Sequence, residues 1–395
     1  MSYGNRMQSF CEVFTMATLN FRTEVIERFC VDAFEKFGFT RVEAQQITDV
    51  LLLADVYGIA SHGTQRLVRY HKSIENGSVK IDAKPEIVFQ TPVSAVIDGH
   101  EGMGQLIGIY AMNVAIEKAK KVGMSFVTVR NSNHFGIAGY YTKMACDQGL
   151  IGVCGTNSLP IMVHTGSKEA SLGSNPLAFA VPAEPYPFWF DAATTVVPKG
   201  KLEVYFKAGK DLKNGWAIDE TGAVSTDAAH VLKCMSNKDR LGGILPLGGA
   251  GEENGGHKGY GYSMVCEIMS AIFSLGTLSK DQFTTKGQGA GTCHSFMVID
   301  PAIFGDPQAI KDYMSKFLAE LRGAARACED VPIYTHGEKE MIAVERSKKD
   351  GIDIDVSTVA EMINACKYLG MDSVSYFGEV DVSGAKSGIY EQAYK

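Results

Sequence analysis

Residues 93–112 read VSAVIDGHEGMGQLIGIYAM. A β-branched run leads into Gly102-x-Gly104, and an apolar helical run follows from Gln105. This is the strand, glycine turn, helix order of the dinucleotide fingerprint G-x-G-x-x-G. Two positions fail. The third glycine would stand at Ile107, and the chain places Gly108 one residue late. The following strand, SFVTV at 125–129, should lead to an acid for the ribose hydroxyl, and it leads to Arg130 and Asn131. The stretch therefore reads as a turn joining a strand to a helix, and an ordinary Rossmann domain is the weaker reading.

Outward from this stretch the chain alternates. EIVFQ at 86–90 and SAVID at 94–98 are short β-branched runs, and 105–122 is an amphipathic helix. Residues 125–130 and LIGVCGTN at 150–157 read as buried strands on either side of a helix at 140–148. Further strands are expected at 176–182, 188–191 and 295–300. A helix at 258–275 is apolar nearly all round, so it is expected to be buried. Residues 85–300 are thus predicted to form an α/β domain. Both flanks are helical: 22–37, 42–57 and 63–76 before it, 307–324 and 355–369 after it. Residues 19–84 and 301–395 are expected to pack as one discontinuous helical domain. Residues 1–18 stand outside the pattern as an extension, with Met7 and Met16 as alternative starts.

Composition narrows the class. The chain has 395 residues, 45% hydrophobic and 21% charged, which suits a soluble globular protein with a real core. A net charge of −7 with no long basic run argues against a nucleic-acid partner. No window approaches a membrane span, and the N-terminus lacks a signal-peptide core. Nine scattered cysteines without a C-x-x-C pair read as reduced thiols, so a cytoplasmic location is expected. No HExxH motif or close acidic cluster points to a metal.

Two segments carry candidate chemistry. The first is ADVYGIASHGTQRLVRY at 54–70. It sets the imidazole of His62 near Arg66, whose guanidinium can grip a carboxylate with two hydrogen bonds. Tyr70 lies four residues after Arg66, on the same face if the segment is helical. The second is GGAGEENGGHKGYG at 248–261. It is not a P-loop, because Gly259 follows Lys258 where Ser or Thr should stand. Backbone amides and Lys258 at a helix start still suit a phosphate or carboxylate.

Taken together, DVYGIASHGTQRLVRY, RNSNHFGIAGYY, GSNPLAFAVP, FDAATTVVPKGK, NGWAIDETGAVSTD and GGHKGYG resemble the malate/L-lactate dehydrogenase family that is unrelated to the Rossmann-type lactate dehydrogenases. Its relatives include ureidoglycolate dehydrogenase, sulfolactate dehydrogenase, diketogulonate reductase and cyclic imino acid reductase. The resemblance runs in order from about residue 20 to about residue 365. It implies a non-Rossmann, mixed-sheet NAD(P)-binding domain of the α/β (α+β) class, a helical domain made by both chain ends, and a homodimer.

By motif, the resemblance makes His62 in Ser-His-Gly, or His134 in Asn-His-Phe-Gly, the proton-transferring group. Ser61, His62 and Asp191 are implied as a relay. Ser158, Asp191, Ala192, Ala193, Lys258, His336, Gly337 and Glu338 are implied cofactor contacts. Pro198-Lys199 stands where a small residue and an arginine are usual, and 336–338 departs from a usual proline and glutamine. NAD is expected over NADP, with the choice left open.

The chemistry follows. Reduction of a 2-oxo acid by hydride leaves an alkoxide to be protonated, and a histidine with a pKa near 6.5 can supply that proton reversibly. Arg66 would hold the substrate carboxylate. The expected activity is an NAD(P)-dependent 2-hydroxy acid dehydrogenase, with malate leading. Lactate, sulfolactate, ureidoglycolate or a cyclic imino acid are the same-fold alternatives. A metal-dependent hydrolase using His62, His134 and Asp191, and a non-catalytic acid-binding protein, are the readings from other classes.

Overall fold

The structure, a computed structural model, describes residues 17–385 apart from 284. Strand β1 (Thr18–Phe21) is followed by helices α1 (Thr23–Lys36), α2 (Arg41–Val56) and α3 (Leu67–Glu75). Then come β2 (Glu86–Gln90), β3 (Ser94–Asp98), α4 (Gly104–Val122), β4 (Met124–Ser132), α5 (Ala138–Cys146) and β5 (Ile151–Thr156). Short strands β6 (Met162–Val163) and β7 (Ala170–Leu172) precede β8 (Leu177–Val181) and β9 (Phe188–Ala192). Next are α6 (Lys199–Lys207), β10 (Ala217–Ile218), α7 (Ala228–Cys234), β11 (Gly243–Ile244), α8 (Gly256–Glu267) and β12 (Thr292–Ile299). The chain closes with α9 (Pro307–Arg322), α10 (Glu338–Asp350), β13 (Ile352–Asp355), α11 (Val356–Leu369) and α12 (Ser373–Phe377).

The chain divides into two compact units. Among the described residues one comprises 17–72, Ala183–Phe188 and 308–385; the other comprises Ser73–Pro182 and Trp189–Pro307. The boundaries thus fall at 72/73 and 307/308, not at 84/85 and 300/301, and a short excursion at 183–188 joins the first unit. The expected extension also ends sooner: Thr18 already pairs with Asp355 in the antiparallel β1–β13 ladder. Residues 1–16 lie outside the described residues.

In the first unit α1 buries Ile26, Phe29, Cys30, Ala33 and Phe34, the three-to-four spacing of one helical face. Phe377 of α12 meets Phe29 edge-on at 5.0 Å, which ties the C-terminal region to the N-terminal helices. A capping box starts α2: Glu43 N–H donates to Thr40 Oγ1 at 3.3 Å, and Thr40 N–H donates to Glu43 Oε2 at 3.0 Å.

In the second unit seven strands run in the order β2-β3-β4-β12-β5-β8-β9. Only β3 and β4 among the first five are parallel; β12 is antiparallel to both β4 and β5. A Rossmann sheet is parallel with crossovers throughout, so this mixed sheet excludes it. The β3–α4–β4 unit does place the 99–104 turn where a pyrophosphate loop would lie, but the turn is filled from within. Gly99 N–H donates to Arg130 O at 2.9 Å, and Glu101 N–H donates to Asn131 O at 2.7 Å. The Asp98 carboxylate accepts from Arg130 Nε, Asn131 Nδ2 and His100 N–H, each at about 3.0 Å.

Two local expectations change. Residues 63–76 are not one helix: Ala60–His62 and Thr64–Arg66 form 3-10 turns before α3 begins. The helix expected at 258–275 ends at Glu267, continues as a π turn over Ile268–Ile272, and is not fully buried. Its inner face carries Gly259, Ser263, Cys266 and Ser270, while Tyr262, Val265, Ile272 and Leu275 are 44–85% exposed. Small and polar residues let this helix approach a polar interior, so its apolar residues face outward.

Candidate active site

The Ser-His-Gly turn lies in the first unit, held by a carboxylate beneath it. Asp55, near the end of α2, accepts from Thr64 N–H at 2.8 Å. A Cβ on Gly63 would lie 1.8 Å from Asp55 Oδ1, so only glycine lets the turn close over this carboxylate. Burial pushes the Asp55 carboxyl up to about 7, against the Thr64 hydrogen bond that lowers it. Ser61 Oγ sits 2.9 Å from His62 Nδ1. Arg66 Nε donates to Ser61 O, which anchors the guanidinium beside the histidine. Desolvation, then Arg66 and Arg69, hold His62 down at about 4, so its resting form at neutral pH is the uncharged imidazole. Arg69 was not singled out from the sequence; its signal was a second arginine three residues after Arg66. Tyr70 is 2% exposed and packs in the core. Arg66 ends the 3-10 turn at Thr64–Arg66, directly before the α-helix that carries Tyr70.

His134 lies in the second unit, between β4 and α5. Gly136 N–H donates to His134 Nδ1 at 3.4 Å, which assigns the ring proton to Nε2. The loop is packed from three sides. A Cβ on Gly104 would lie 2.4 Å from the carbonyl oxygens of both Asn133 and His134. The fingerprint glycine therefore lets α4 approach the histidine loop. Phe135 stacks on His294 at 4.1 Å, and Tyr141 Oη donates to Phe135 O at 2.5 Å. His294, on β12, is fully buried between Thr156 Oγ1 and Ser132 Oγ, each 2.8 Å away, and burial holds it at about 3. Asp191 on β9 accepts from Gly139 N–H at 2.7 Å, in the first turn of the helix that follows the His134 motif. Trp189 Nε1 donates to Gly139 O at 2.9 Å and completes this docking.

The other implied cofactor residues of this unit are knit to the same region. Thr194, directly after Ala193, donates its N–H to Ser174 O at 2.9 Å, and Ser174 N–H donates to Ser158 Oγ at 3.1 Å. Ser158 N–H donates to Asn175 Oδ1 at 3.1 Å. Asn175 Nδ2 donates to Glu267 Oε2 at 2.9 Å, and Ser279 supplies N–H and Oγ–H to the same carboxylate at 2.6 Å each. Glu267 is 5% exposed, a buried acceptor satisfied by neutral donors. It stands on α8, whose first turn bears the exposed Lys258. Asn175 and Glu267 were missed because each is unremarkable in its own segment.

His336, Gly337 and Glu338 lie in the first unit. Gly337 starts α10 at φ 94°, which favours glycine. Glu338 accepts from Thr335 N–H at 3.2 Å and lies 3.9 Å from Arg322, so its carboxylate is engaged by its own unit. His336 meets Phe188 edge-on at 5.6 Å. A cavity of about 420 Å³ in the second unit is lined by His164, Lys168, Gly249, Ala250 and others, but by none of the expected site residues.

Comparison with known proteins fits this combination of a mixed sheet, a Ser-His-Gly turn and an Asn-His-Phe-Gly loop. A family described as malate/L-lactate dehydrogenase matches residues 21–363. The chain belongs to the malate/L-lactate dehydrogenase family. Malate dehydrogenase from Pyrococcus horikoshii is 42% identical over 88% of this chain and 94% of its own length. L-sulfolactate dehydrogenase from Methanocaldococcus jannaschii is 35% identical, covering 89% of this chain and 97% of its own. The crystal structure of malate dehydrogenase from Entamoeba histolytica superposes with a TM-score of 0.86 at 34% identity, over 90% of this chain and 99% of that one. As a member of this family the protein is an oxidoreductase of small hydroxy acids that uses a nicotinamide cofactor. Among the described residues no helix is long and apolar enough to cross a membrane.

Proposed function

We propose that the protein is an NAD-dependent malate dehydrogenase, reducing oxaloacetate and oxidising malate. The observation that carries this reading is the pair of guanidiniums, Arg66 and Arg69, whose charge adds to burial in holding His62 neutral at rest. A dicarboxylate brings two negative charges and matches two guanidiniums, whereas lactate matches one. The Pyrococcus relative named malate dehydrogenase supports the same substrate. Sulfolactate is the second reading, since its sulfonate and carboxylate form an equal dianion and a relative carries that name.

The nicotinamide supplies and recovers the hydride when bound. The donor set of the second unit suits such a group: the exposed Lys258 ammonium at a helix start, the Ser158 hydroxyl, and the small residues Ala192 and Ala193. Arg66 and Arg69 bind and orient the acid. An anion beside them offsets the arginine part of the shift that burial leads, so the His62 pKa rises and its proton can pass to the substrate oxygen. Ser61 Oγ, at Nδ1, fixes the ring and leaves Nε2 as the nitrogen that would exchange the proton. His134, with its proton on Nε2, serves as a neutral hydrogen-bond donor. We also propose a homodimer and a cytoplasmic location; the exposed row Tyr262, Val265, Ile272 and Leu275 is the surface a second copy would cover.

The test is a panel of 2-oxo acids and cyclic imines assayed with NADH and with NADPH. Oxaloacetate with NADH should give the highest kcat/KM. A higher value for sulfopyruvate, pyruvate or an imine would overturn the malate assignment, and a preference for NADPH would overturn the NAD assignment.

A further inference from the structure

Three side chains of the second unit converge on one point. Glu220 Oε2 lies 2.7 Å from His230 Nε2 and 3.1 Å from Cys234 Sγ. All three donor atoms lie within 4.8 Å of one another. His230 and Cys234 are four residues apart on α7, so they share one face of the helix. The backbone holds them there. Asp227 caps α7 by accepting from His230 N–H at 2.9 Å. Opposite, Asp219 Oδ1 accepts from Thr221 N–H at 2.8 Å, Thr221 Oγ1 at 2.6 Å and Ala223 N–H at 3.2 Å, which fixes the turn that presents Glu220.

We propose that Glu220, His230 and Cys234 form a binding site for a zinc-class divalent cation. The donors are one thiolate, one imidazole and one carboxylate, which suit a borderline-soft ion and leave a fourth position for water. A tetrahedral ion with bonds of about 2.0–2.3 Å sets its ligand atoms roughly 3.3–3.7 Å apart, so the two short contacts open by about half an ångström on loading. The hydrogens that now bridge to Glu220 must leave that space. The thiol proton goes to solvent, and the imidazole proton moves to Nδ1, freeing the Nε2 lone pair. Nothing is oxidised or reduced. Cys234 is 3% exposed, and desolvation followed by Glu220 pushes its thiol up to about 11, so metal uptake displaces one proton. Sequence spacing alone conceals the site, because Glu220 is ten residues before His230 and on another element. It contains none of the residues assigned to proton transfer or cofactor contact, and a bound ion would brace the turn at 219–223 against α7.

The full-length protein, stripped with a chelator and gel-filtered, is titrated with Zn²⁺ and separately with Co²⁺. One equivalent of metal is expected, with a thiolate-to-cobalt charge-transfer band and the visible bands of a four-coordinate ion. Apparent affinity should fall about tenfold for each unit of pH lowered, as one proton is displaced. Cys234→Ser should abolish the charge-transfer band. His230→Gln, at a half-exposed position that tolerates substitution, should weaken zinc binding by roughly 100-fold or more, beyond the loss typical of outer-shell partners. Circular dichroism checks that both variants fold. Absence of metal uptake by the unaltered protein, or a band that survives both substitutions, overturns the site.

Discussion

Gly63→Ala tests how the Ser-His-Gly turn is built. Gly63 has φ −85°, a conformation open to alanine, so the obstacle is steric. The new Cβ would lie 1.8 Å from Asp55 Oδ1, 2.3 Å from Cγ and 2.7 Å from Oδ2. Either the turn lifts or the carboxylate leaves. Lifting a packed backbone costs about 1–3 kcal/mol. If Asp55 leaves, the Thr64 N–H loses its acceptor, worth roughly 1.5–3 kcal/mol for a charged partner. The variant should therefore lose roughly 1–3 kcal/mol in urea unfolding, the range spanned by the two routes. His62 precedes Gly63 directly, and a shift near 1 Å at a reacting group costs about 100-fold in kcat. Asp55→Ala supplies the decisive comparison. It removes the obstacle, so Gly63→Ala should cost less than about 1 kcal/mol in that background, a coupling of roughly 2 kcal/mol. Additive costs in the double-mutant cycle would refute this account of the turn.

Other outcomes follow from the same geometry. His62→Ala should lower kcat about 10²–10⁴-fold, and His134→Ala should act mainly on KM; steady-state kinetics showing the reverse would transfer the proton to His134. Arg66→Lys keeps charge but loses the planar grip, so kcat/KM for oxaloacetate should fall by roughly 1.5–3 kcal/mol equivalent; an unchanged value would remove Arg66 from the site. Lys258→Ala should weaken NADH binding in a fluorescence titration without lowering Tm, whereas Gly104→Ala should lower Tm by driving α4 from the Asn133 and His134 carbonyls. His294, held at about 3 when folded against about 6.5 unfolded, binds its proton only in the unfolded chain between those values. This contribution should be intact above pH 6.5 and be lost toward pH 3, by up to about 5 kcal/mol, while Asp55, raised to about 7, acts in the opposite direction. In an Asp55→Asn background, urea unfolding free energies that do not change from pH 7 to 4.5 would contradict it.

Much of the strand and helix order was legible because period-2 and period-3.6 patterns are local. The failed fingerprint at 102–108 was legible too, since one misplaced glycine and one missing acid are visible in a single line. What escaped the sequence depends on partners far along the chain. Glu267 and Asn175 are separated by 92 residues, and only the fold brings them to 2.9 Å. The exposed side of α8 was misread because apolar residues all round suggest burial, while glycine, serine and a satisfied carboxylate supply the true inner face. The start of the helix at 63 was misread because a 3-10 turn looks like α-helix over so few residues.

The Asp98 turn carries a consequence for redesign. In parallel nucleotide-binding folds, cofactor preference is commonly reset by changing the residue that meets the adenosine ribose after the second strand. Here the corresponding residues, Arg130 and Asn131, give their carbonyls to Gly99 and Glu101 and their side chains to Asp98. An acid or a small residue at either position would leave the buried Asp98 carboxylate short of hydrogen-bond donors and would loosen the β3–α4 junction. That junction carries Gly104, on which the His134 loop rests. A swap copied from Rossmann enzymes would therefore damage catalysis through the scaffold while leaving the choice between the two nicotinamides where it was. On the proposed cofactor site, coenzyme engineering in this chain belongs instead to the segments around Ser158, Ala192 and Lys258.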